Sequence, residues 1–251
     1  WTGSGARPLC PDERFAKQRK GAHCTVFLVS PTVMLTAGHC ITFKDVEPDE
    51  PSRGRYKVVF GFETRGNAER ASFKAEEVYD VARVIESRND KSGPPDTARD
   101  YAVIELDRPV PASVAEPLRM ASAMPALSVD VDTPLGVIGH PSGLSKKVSF
   151  GVDEAAIGRA REAGNGVRFR ASLNTFHGNS GSPVLFYDAP DVVAGILVAG
   201  EEDFLEDPSR GCVRTAIYAD GQQCKQPNGV NEPCAEKVTK ISAVAPFIPD
   251  P

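Results

Sequence analysis

The stretch Gly-Asn-Ser-Gly-Ser-Pro at residues 178–183 is the part of this sequence that says most about its fold. A serine hydroxyl attacks a carbonyl group only when a tight turn exposes it beside backbone N–H groups that can hold an oxyanion. Gly178 and Gly181 flank Ser180 and permit backbone angles that other residues resist. The stretch is therefore a candidate nucleophile turn, but a glycine-rich serine turn is a weak signal by itself.

Two upstream motifs supply the side chains that such a serine needs. Thr-Ala-Gly-His-Cys places His39 beside Cys40, and Asp-Tyr-Ala-Val-Ile-Glu-Leu begins at Asp100. His39, Asp100 and Ser180 follow one another at intervals of about sixty and eighty residues, in one of the chain orders known for a Ser-His-Asp triad. We predict that His39 is the general base and that Asp100 fixes its tautomer and stabilises the imidazolium.

Asp100 is a better partner for His39 than the other aspartates of its region. It opens the alternating apolar run Asp100–Leu106, a pattern typical of a strand, and the partner of the base needs a buried place at such a strand entrance. Asp90, Asp96 and Asp107 lie among charges or at the far end of the run, where solvated surface charge is the simpler interpretation.

The backbone N–H groups of Gly178 and Ser180 are the predicted oxyanion hole. One such donor typically lowers the barrier by about 3 kcal/mol. The remaining histidines have simpler interpretations. His23 and His140 are interpreted as structural, and His177 would lie at the rim of the cleft, where a solvated loop histidine is favoured over a substrate contact.

Composition indicates a strand-rich chain with its own core. Of its 251 residues 41% are hydrophobic, and 22 glycines and 21 prolines suit many short strands joined by turns. A net charge of −5 argues against a nucleic acid partner. The longest apolar run, residues 192–199, is too short to span a bilayer, so we expect no membrane partner. We expect a monomer.

Strand candidates fall into two groups along the chain. We predict an all-β protein of two antiparallel barrels packed together, with a site in the crevice between them. Residues 1–115 would form an N-terminal arm and the first barrel, which carries His39 and Asp100. Residues 116–251 would form the second barrel, with Ser180, a specificity pocket and a cysteine-bearing C-terminal region.

Six cysteines, an even number without a Cys-x-x-Cys pair, favour disulfides over a metal site. A fully bridged set implies an oxidising compartment, so we expect a secreted or periplasmic protein. The sequence begins at Trp1 rather than Met, and we expect that an upstream segment was removed or left out. A long acidic, cysteine-bearing loop region spans residues 200–231, and residues 236–247 are predicted to be a short closing helix or strand.

Together these motifs resemble those of the trypsin-like serine peptidases with the chymotrypsin fold, and more closely the bacterial glutamyl-endopeptidase-like branch than the digestive enzymes. The matching segments are residues 24–40, Asp100–Leu106, 139–143, 174–184 and 195–198. The resemblance implies two six-stranded barrels and endopeptidase activity on a protein or peptide substrate. It implies an acyl-enzyme intermediate, with neither a cofactor nor a metal.

The resemblance also implies a disulfide between Cys24 and Cys40. The four other cysteines can then pair in three ways, and the sequence does not choose among them. Proximity favours one bridge within Cys212, Cys224 and Cys234, which would leave Cys10 to tie the N-terminal arm to the C-terminal region.

Asn179 departs from the pattern of the digestive trypsins. Those enzymes are activated when a new N-terminus forms an ion pair with an aspartate at the place of Asn179. An asparagine side chain cannot form that ion pair, so we do not expect this activation mechanism. The bacterial relatives also carry asparagine there.

The specificity pocket implied by the resemblance matches neither branch of the family. The residues that would line it are Asn174, Thr175, Leu197, Val198, Ala199, Gly200 and, at the rim, His177. Trypsins carry aspartate at the place of Asn174, and glutamyl endopeptidases carry histidine at that of Leu197, but Thr175 matches the glutamyl branch. The acidic residues 201–203 are interpreted as a solvated loop, with attraction of a basic side chain as the alternative. The residue preferred before the scissile bond is left open.

Other functions fit the sequence less well. A binding protein that kept this fold and lost catalysis would usually lack a triad residue, and all three are present. An α/β-hydrolase needs Gly-x-Ser-x-Gly and the order Ser, Asp, His, whereas Ser182 holds the fifth place here and the order is reversed. A zinc hydrolase would need His-Glu-x-x-His. Residues 44–55 lack the ligand spacing of a calcium loop and its glycine at the sixth position, so we interpret them as a solvated loop.

Overall fold

A computed structural model of the chain describes residues 8–41, 56–66, 68–70, 72–90, 97–124, 126–151, 153, 156–164, 166–219, 222–225, 229 and 231–249. The solvated loop predicted at residues 44–55 lies outside the described residues, and so do Trp1 and Asp96.

Short strands make up most of the regular backbone, as predicted. Those of the N-terminal half are β1 (Phe27–Leu28), β2 (Val33–Thr36), β3 (Lys57–Val59), β4 (Thr64–Arg65), β5 (Ala68–Glu69), β6 (Val78–Asn89) and β7 (Asp100–Leu106). Those of the C-terminal half are β8 (Arg119–Met120), β9 (Pro134–Gly139), β10 (Lys147–Ser149), β11 (Gly158–Glu162), β12 (Arg168–Ala171), β13 (Pro183–Phe186), β14 (Ala189–Ala199), β15 (Phe204–Asp207), β16 (Cys212–Thr215), β17 (Gln223–Lys225), β18 (Asn231–Pro233) and β19 (Glu236–Lys240).

Helical backbone in the described part of the chain is limited to short 3-10 turns. They are Gly38–Cys40, Ala75–Glu77, Ala121–Ala123, Pro141–Gly143, Ile241–Ala243 and Ala245–Phe247. None of the helices in the described ranges is long and apolar enough to cross a membrane.

The first half of the chain forms a five-stranded antiparallel sheet in the order β1-β2-β7-β6-β3. Strand β7 is its centre and is buried on both faces, which its apolar run allows. The resemblance implied six strands here. Among the described strands, β4 and β5 pair only with each other and do not join this sheet. Their side chains are half-buried or exposed, so this small hairpin has no apolar face to add to the sheet.

The second half closes into a six-stranded barrel. Strands β9, β11, β12, β19, β14 and β13 follow one another around it, and β13 pairs with β9 to complete the ring. Residues 236–247 close the barrel as a strand followed by two 3-10 turns. Within them, Val238 pairs with Leu197 of β14 and with Phe169 of β12, so β19 is held on both of its edges. The predicted all-β architecture of packed barrels is therefore confirmed, with a closed second barrel and an open first sheet.

One apolar cluster spans both sheets. It joins Leu35 and Val103 of the first sheet to Val184, Ile196 and Val238 of the second. Each of these side chains is almost completely buried, which contributes about 1.5–3 kcal/mol per residue. The shared cluster holds β2 and β7 against the barrel strands, and the predicted site lies where these elements meet.

All six cysteines are bridged, as the even count predicted. Cys24 is joined to Cys40, Cys10 to Cys212 and Cys224 to Cys234. The structure thus selects one of the three pairings that the sequence left open, with Cys10 tied to the C-terminal region as expected. The Cys10–Cys212 bond fastens the N-terminal arm to β16, where the backbone N–H of Cys10 also donates to the carbonyl of Val213 at 2.8 Å.

Candidate active site

His39 and Asp100 lie side by side because their strands are neighbours. Strand β2 leads into the 3-10 turn that carries His39, and Asp100 is the first residue of β7, which pairs with β2. The imidazole Nδ1 of His39 is 2.7 Å from Oδ2 of Asp100. The backbone N–H of His39 donates to Oδ1 of the same carboxylate at 3.0 Å. Both carboxylate oxygens of Asp100 are thus hydrogen-bonded to His39.

This pairing sets the tautomer of His39. An ionised carboxylate only accepts hydrogen bonds, so Nδ1 carries the proton and Nε2 is left as the acceptor. The Asp100 side chain is 4% exposed and that of His39 is 20% exposed. A buried orienting group behind a partly accessible base is the arrangement that proton transfer to and from a bound substrate requires.

The turn that carries His39 is shaped by Gly38. A Cβ atom at Gly38 would lie less than 3.0 Å from the carbonyl oxygens of Arg88 and Tyr101. The backbones of β6 and β7 therefore press directly on the turn, and only a residue without a side chain fits between them. Cys40, the next residue after His39, is fixed by its bond to Cys24.

Asp100 is also held from the second barrel. The Thr239 hydroxyl, on β19, donates to the backbone oxygen of Asp100 at 2.9 Å, and both residues are buried. The other described aspartates of the region point elsewhere: Asp90 is exposed, and Asp107 accepts from the backbone N–H of Asp80 on the first sheet. The structure thus brings Asp100, and neither of these two, to His39.

The serine turn is anchored on both sides. Thr25 N–H donates to the carbonyl of Ser180 at 2.8 Å, and Gly181 N–H donates to that of Leu197 at 2.7 Å. Gly181 has φ +87°, and a Cβ there would lie less than 3.0 Å from Thr25 O and Thr36 Oγ1. Ser180 itself is half-buried and keeps access to solvent. The glycine flanking was therefore a correct signal of a tight, glycine-dependent turn.

The peptide between His177 and Gly178 is oriented by the Pro141–Gly143 turn. Ser142 N–H donates to the carbonyl of His177 at 2.5 Å. The N–H of Gly178 lies on the opposite side of this planar trans peptide, so it is directed away from Ser142. Neither Gly178 N–H nor Ser180 N–H donates to another group in the described part of the chain. Both donors are thus available for an oxyanion.

Asn179 lies inside the protein beneath this turn, with 3% of its surface exposed. Its Oδ1 accepts from the Ser182 hydroxyl at 3.4 Å, and its backbone N–H donates to the carbonyl of Phe176 at 2.9 Å. The place is polar and uncharged, which fits a neutral amide. Together with the N-terminal arm, Asn174, Phe176 and Asn179 line a cavity of about 520 Å³, whose lining includes neither His39 nor Ser180.

The predicted pocket residues of β14 and the position after it differ in solvent exposure. Leu197 and Val198 have 3% and 4% of their surface exposed, and both side chains belong to the shared apolar cluster. Ala199 and Gly200, which follow at the end of β14, are exposed. The wall toward solvent is thus formed by small residues, and Leu197 contributes through its backbone.

The other side of the predicted pocket is the segment before the serine. Asn174 is exposed and Thr175 is half-buried. His177 is exposed, and its backbone N–H donates to Oδ2 of Asp203 at 2.7 Å. Asp203 therefore folds back onto the rim, and burial is the main cause of its raised pKa.

Glu236 is a residue of this region that the sequence did not indicate. Its carboxylate lies against Gly200, where a Cβ atom would come within 3.0 Å of both carboxylate oxygens. The Thr175 hydroxyl is close enough to this carboxyl group to lower its pKa. The pKa of Glu236 is raised to about 8, mainly by burial; Thr175 and Lys237 act to lower it, whereas the charges of Asp203 and Glu201 act to raise it. A titratable group beside the predicted pocket is therefore present.

Of the two histidines interpreted as structural, His140 has the contacts of a structural residue, whereas His23 is exposed. The Nδ1 of His140 donates to the carbonyl of Leu144 at 2.9 Å, and its ring stacks on Phe62 with centroids 5.5 Å apart. Burial lowers the pKa of His140. His23 is exposed, with its ring centroid 6.5 Å from that of Tyr56.

His39 also lies close to two sulfur atoms, but this group does not form a metal site. The ligand atoms of Cys24, His39 and Cys40 lie within 4.8 Å of one another. Cys24 and Cys40 are joined in a disulfide, so neither sulfur is a thiolate, the form that binds a metal. The imidazole of His39 therefore remains with Asp100.

Comparison with known proteins agrees with this geometry. The family model described as a trypsin-like peptidase domain matches residues 24–196, more than two thirds of the chain. A solved structure of a Glu endopeptidase in complex with MPD is similar, with a TM-score of 0.50 and 17% sequence identity, over 90% of this chain and 84% of that one. At that identity the likeness concerns the fold alone. No curated protein matches the sequence.

Proposed function

Since the chain belongs to the family of trypsin-like peptidase domains, we propose that it is a serine endopeptidase that hydrolyses protein or peptide substrates. The observation that carries the proposal is the pairing of His39 with Asp100. One carboxylate holds both the ring and the backbone of the histidine, at 2.7 and 3.0 Å. A surface histidine gains nothing from such a double restraint, whereas a general base needs it to keep Nε2 directed at the nucleophile.

The chemistry begins at Ser180. Its hydroxyl oxygen attacks the scissile carbonyl while His39 Nε2 takes the proton, and Asp100 stabilises the resulting imidazolium. The N–H groups of Gly178 and Ser180 bind the oxygen on which negative charge develops. His39 then gives its proton to the leaving amine, which departs and leaves an acyl group on Ser180. Water, activated by His39 in the same way, releases the second product.

The proposed location is extracytoplasmic, either secreted or periplasmic. Three disulfides support it, because such bonds persist in oxidising compartments. We propose that the protein works as a monomer, since His39, Asp100, Gly178 and Ser180 all belong to one chain.

Replacement of the serine tests the proposal. Ser180→Ala should remove nearly all casein hydrolysis, and a fluorophosphonate reagent should label the wild-type protein but not the variant. Ser128→Ala is the matched control, because Ser128 is an exposed serine bound to Asp130. Equal thermal unfolding of the three proteins shows that the fold is retained. Casein hydrolysis by Ser180→Ala at the wild-type rate would refute the proposal, and a folded wild type that neither cleaves nor reacts would identify a binding protein instead.

A further inference from the structure

We infer that Glu236 forms the base of the pocket that receives the substrate side chain before the scissile bond, and that this pocket selects lysine and arginine. The inference rests on the proposed function, and it assigns a substrate class to that site. Neither Asn174 nor the wall residues at 197–200 carry a charge that could make this choice.

Strand pairing is what places Glu236 in the pocket. In the ladder between β14 and β19, Leu197 pairs with Val238 and Ala199 with Lys237. The next residue after Ala199 is Gly200, and the residue before Lys237 is Glu236, so these two lie opposite each other at the end of the ladder. The carboxylate lies directly over Gly200, and any larger residue there would fill the space that it occupies.

Thr175 forms the opposite wall and connects the pocket to the nucleophile. Its hydroxyl acts on the Glu236 carboxyl group, whose pKa it lowers, and Thr175 precedes Ser180 by a few residues in the same segment. On the other side, the carbonyl of Leu197 accepts a hydrogen bond at 2.7 Å from the backbone N–H of Gly181, the residue that follows Ser180. Thr175 and Leu197 thus connect the surroundings of Glu236 to the turn that carries Ser180. A substrate that pairs its backbone with the exposed end of β14 would place a side chain between them.

Acidic groups predominate among the charged side chains that act on Glu236. Among the described residues, no ion pair joins Glu236 to a lysine, arginine or histidine. The charged groups that act on it are Asp203 and Glu201, which are acidic, and Lys237. The Lys237 ammonium lies 4.0 Å from a carboxylate oxygen of Glu232 instead. A carboxylate that is desolvated among mainly acidic groups favours a ligand that supplies a positive charge.

The shape of the recess favours a long basic side chain over other substrates. The methylene stem of lysine or arginine packs along Gly200 and the end of β14, and the charged head reaches the carboxylate. An acidic substrate side chain would face Glu236, Asp203 and Glu201 together. A large apolar side chain would cover the carboxylate without providing a partner, at the cost of burying it further.

Bound cations and protons compete for Glu236. Its pKa is raised to about 8 in the empty pocket, so a cationic side chain displaces a proton at neutral pH. Binding of a basic substrate should therefore tighten as the pH rises from 6 to 9. The neighbouring Asp203 and Glu201 add to this attraction, and Lys237 opposes it.

The test measures kcat/KM on short fluorogenic peptides that differ only in the residue before the cleaved bond: arginine, lysine, glutamate or phenylalanine. Wild type should prefer arginine and lysine over glutamate by at least about 100-fold. Glu236→Gln should lower kcat/KM for arginine and lysine by about 100-fold, and leave the phenylalanine peptide within about threefold. Glu116→Gln, at an exposed glutamate, is the matched control and should match wild type.

A second measurement needs no variant. The butylguanidinium ion should inhibit wild-type hydrolysis of the phenylalanine peptide competitively, more strongly at pH 9 than at pH 6. A preference for glutamate, or inhibition that does not change with pH, would overturn the inference while peptide hydrolysis itself still upheld the proposed function. Loss of all hydrolysis and of Ser180 labelling in wild type would instead refute the proposed function.

Discussion

The Thr25 hydroxyl donates a hydrogen bond to the carbonyl oxygen of Gly178 at 3.0 Å, so a residue beside β1 holds the serine turn of the second barrel. The same hydroxyl accepts from the backbone N–H of His140 at 3.0 Å, and the carbonyl of Thr25 accepts from the Thr36 hydroxyl at 2.7 Å. One buried side chain therefore connects the two halves of the molecule at the predicted oxyanion hole.

Thr25→Val should impair catalysis more than binding. The substitution leaves the carbonyl of Gly178 and the N–H of His140 without their buried partner, which costs about 1–3 kcal/mol of stability. We expect kcat to fall by about tenfold or more because the turn loses its orientation. Thr25→Ser keeps the hydroxyl and should retain most of the activity. Equal kcat for the valine and serine variants would contradict this role.

Asp100→Asn should lower kcat by about 10⁴-fold and leave the fold intact. The amide offers one acceptor where the carboxylate offers two, so either the backbone N–H or Nδ1 of His39 faces an NH₂ group. His39 would then carry its proton on the wrong nitrogen. Steady-state kinetics measure the loss of kcat, and the unfolding midpoint shows whether the fold has kept its stability. Asp90→Asn, at an exposed aspartate, should leave both unchanged, and an equal loss in that variant would argue against a specific role for Asp100.

Gly181→Ala should destabilise the protein by at least about 3 kcal/mol. The new Cβ would collide with the Thr25 carbonyl and the Thr36 hydroxyl, at a backbone φ of +87°. Gly66→Ala separates the two causes, because Gly66 has φ +61° but nothing within 4 Å of a new Cβ. That variant should lose only about 1 kcal/mol. Urea unfolding measures both, and similar losses would show that backbone angle alone matters.

Glu236→Gln should change the dependence of stability on pH. Because the folded-state pKa of Glu236, about 8, lies above its ordinary value of 4.5, the folded protein holds this proton more tightly than the unfolded chain does. The stability that this proton contributes is fully present below pH 4.5 and is lost as the pH rises through 8. The variant should gain in melting temperature over wild type as the pH is raised from 5 to 9. A difference that stays constant over this range would contradict the prediction, and Glu116→Gln should show no such trend.

The sequence could predict the elements that local patterns encode. His39 and Asp100 each adjoin a strongly apolar strand, so their motifs indicated both the residues and their place at strand ends. The serine turn could be predicted because its positive φ angles and close contacts allow only glycine at positions 178 and 181, and those glycines are visible in the sequence. The disulfide count followed from the even number of cysteines, and the choice among pairings came from the structure.

What the sequence could not predict depends on pairing between distant segments. Glu236 reaches Thr175 and Gly200 only because of the register between β14 and β19, and no local pattern marks that register. The number of strands in the first sheet likewise depends on whether β4 and β5 join it, which their side chains do not determine until the whole sheet is assembled. In both cases, tertiary contacts decide between local alternatives.

The bond between Cys10 and Cys212 encloses most of the chain, since its two cysteines are 202 positions apart in the sequence. A single break anywhere between these two residues therefore yields two polypeptides that stay covalently attached. Self-digestion at one exposed loop would be invisible by size until the sulfur bridge is reduced. The molecule would thus remain one particle after a single such cut, with its N-terminal arm still attached.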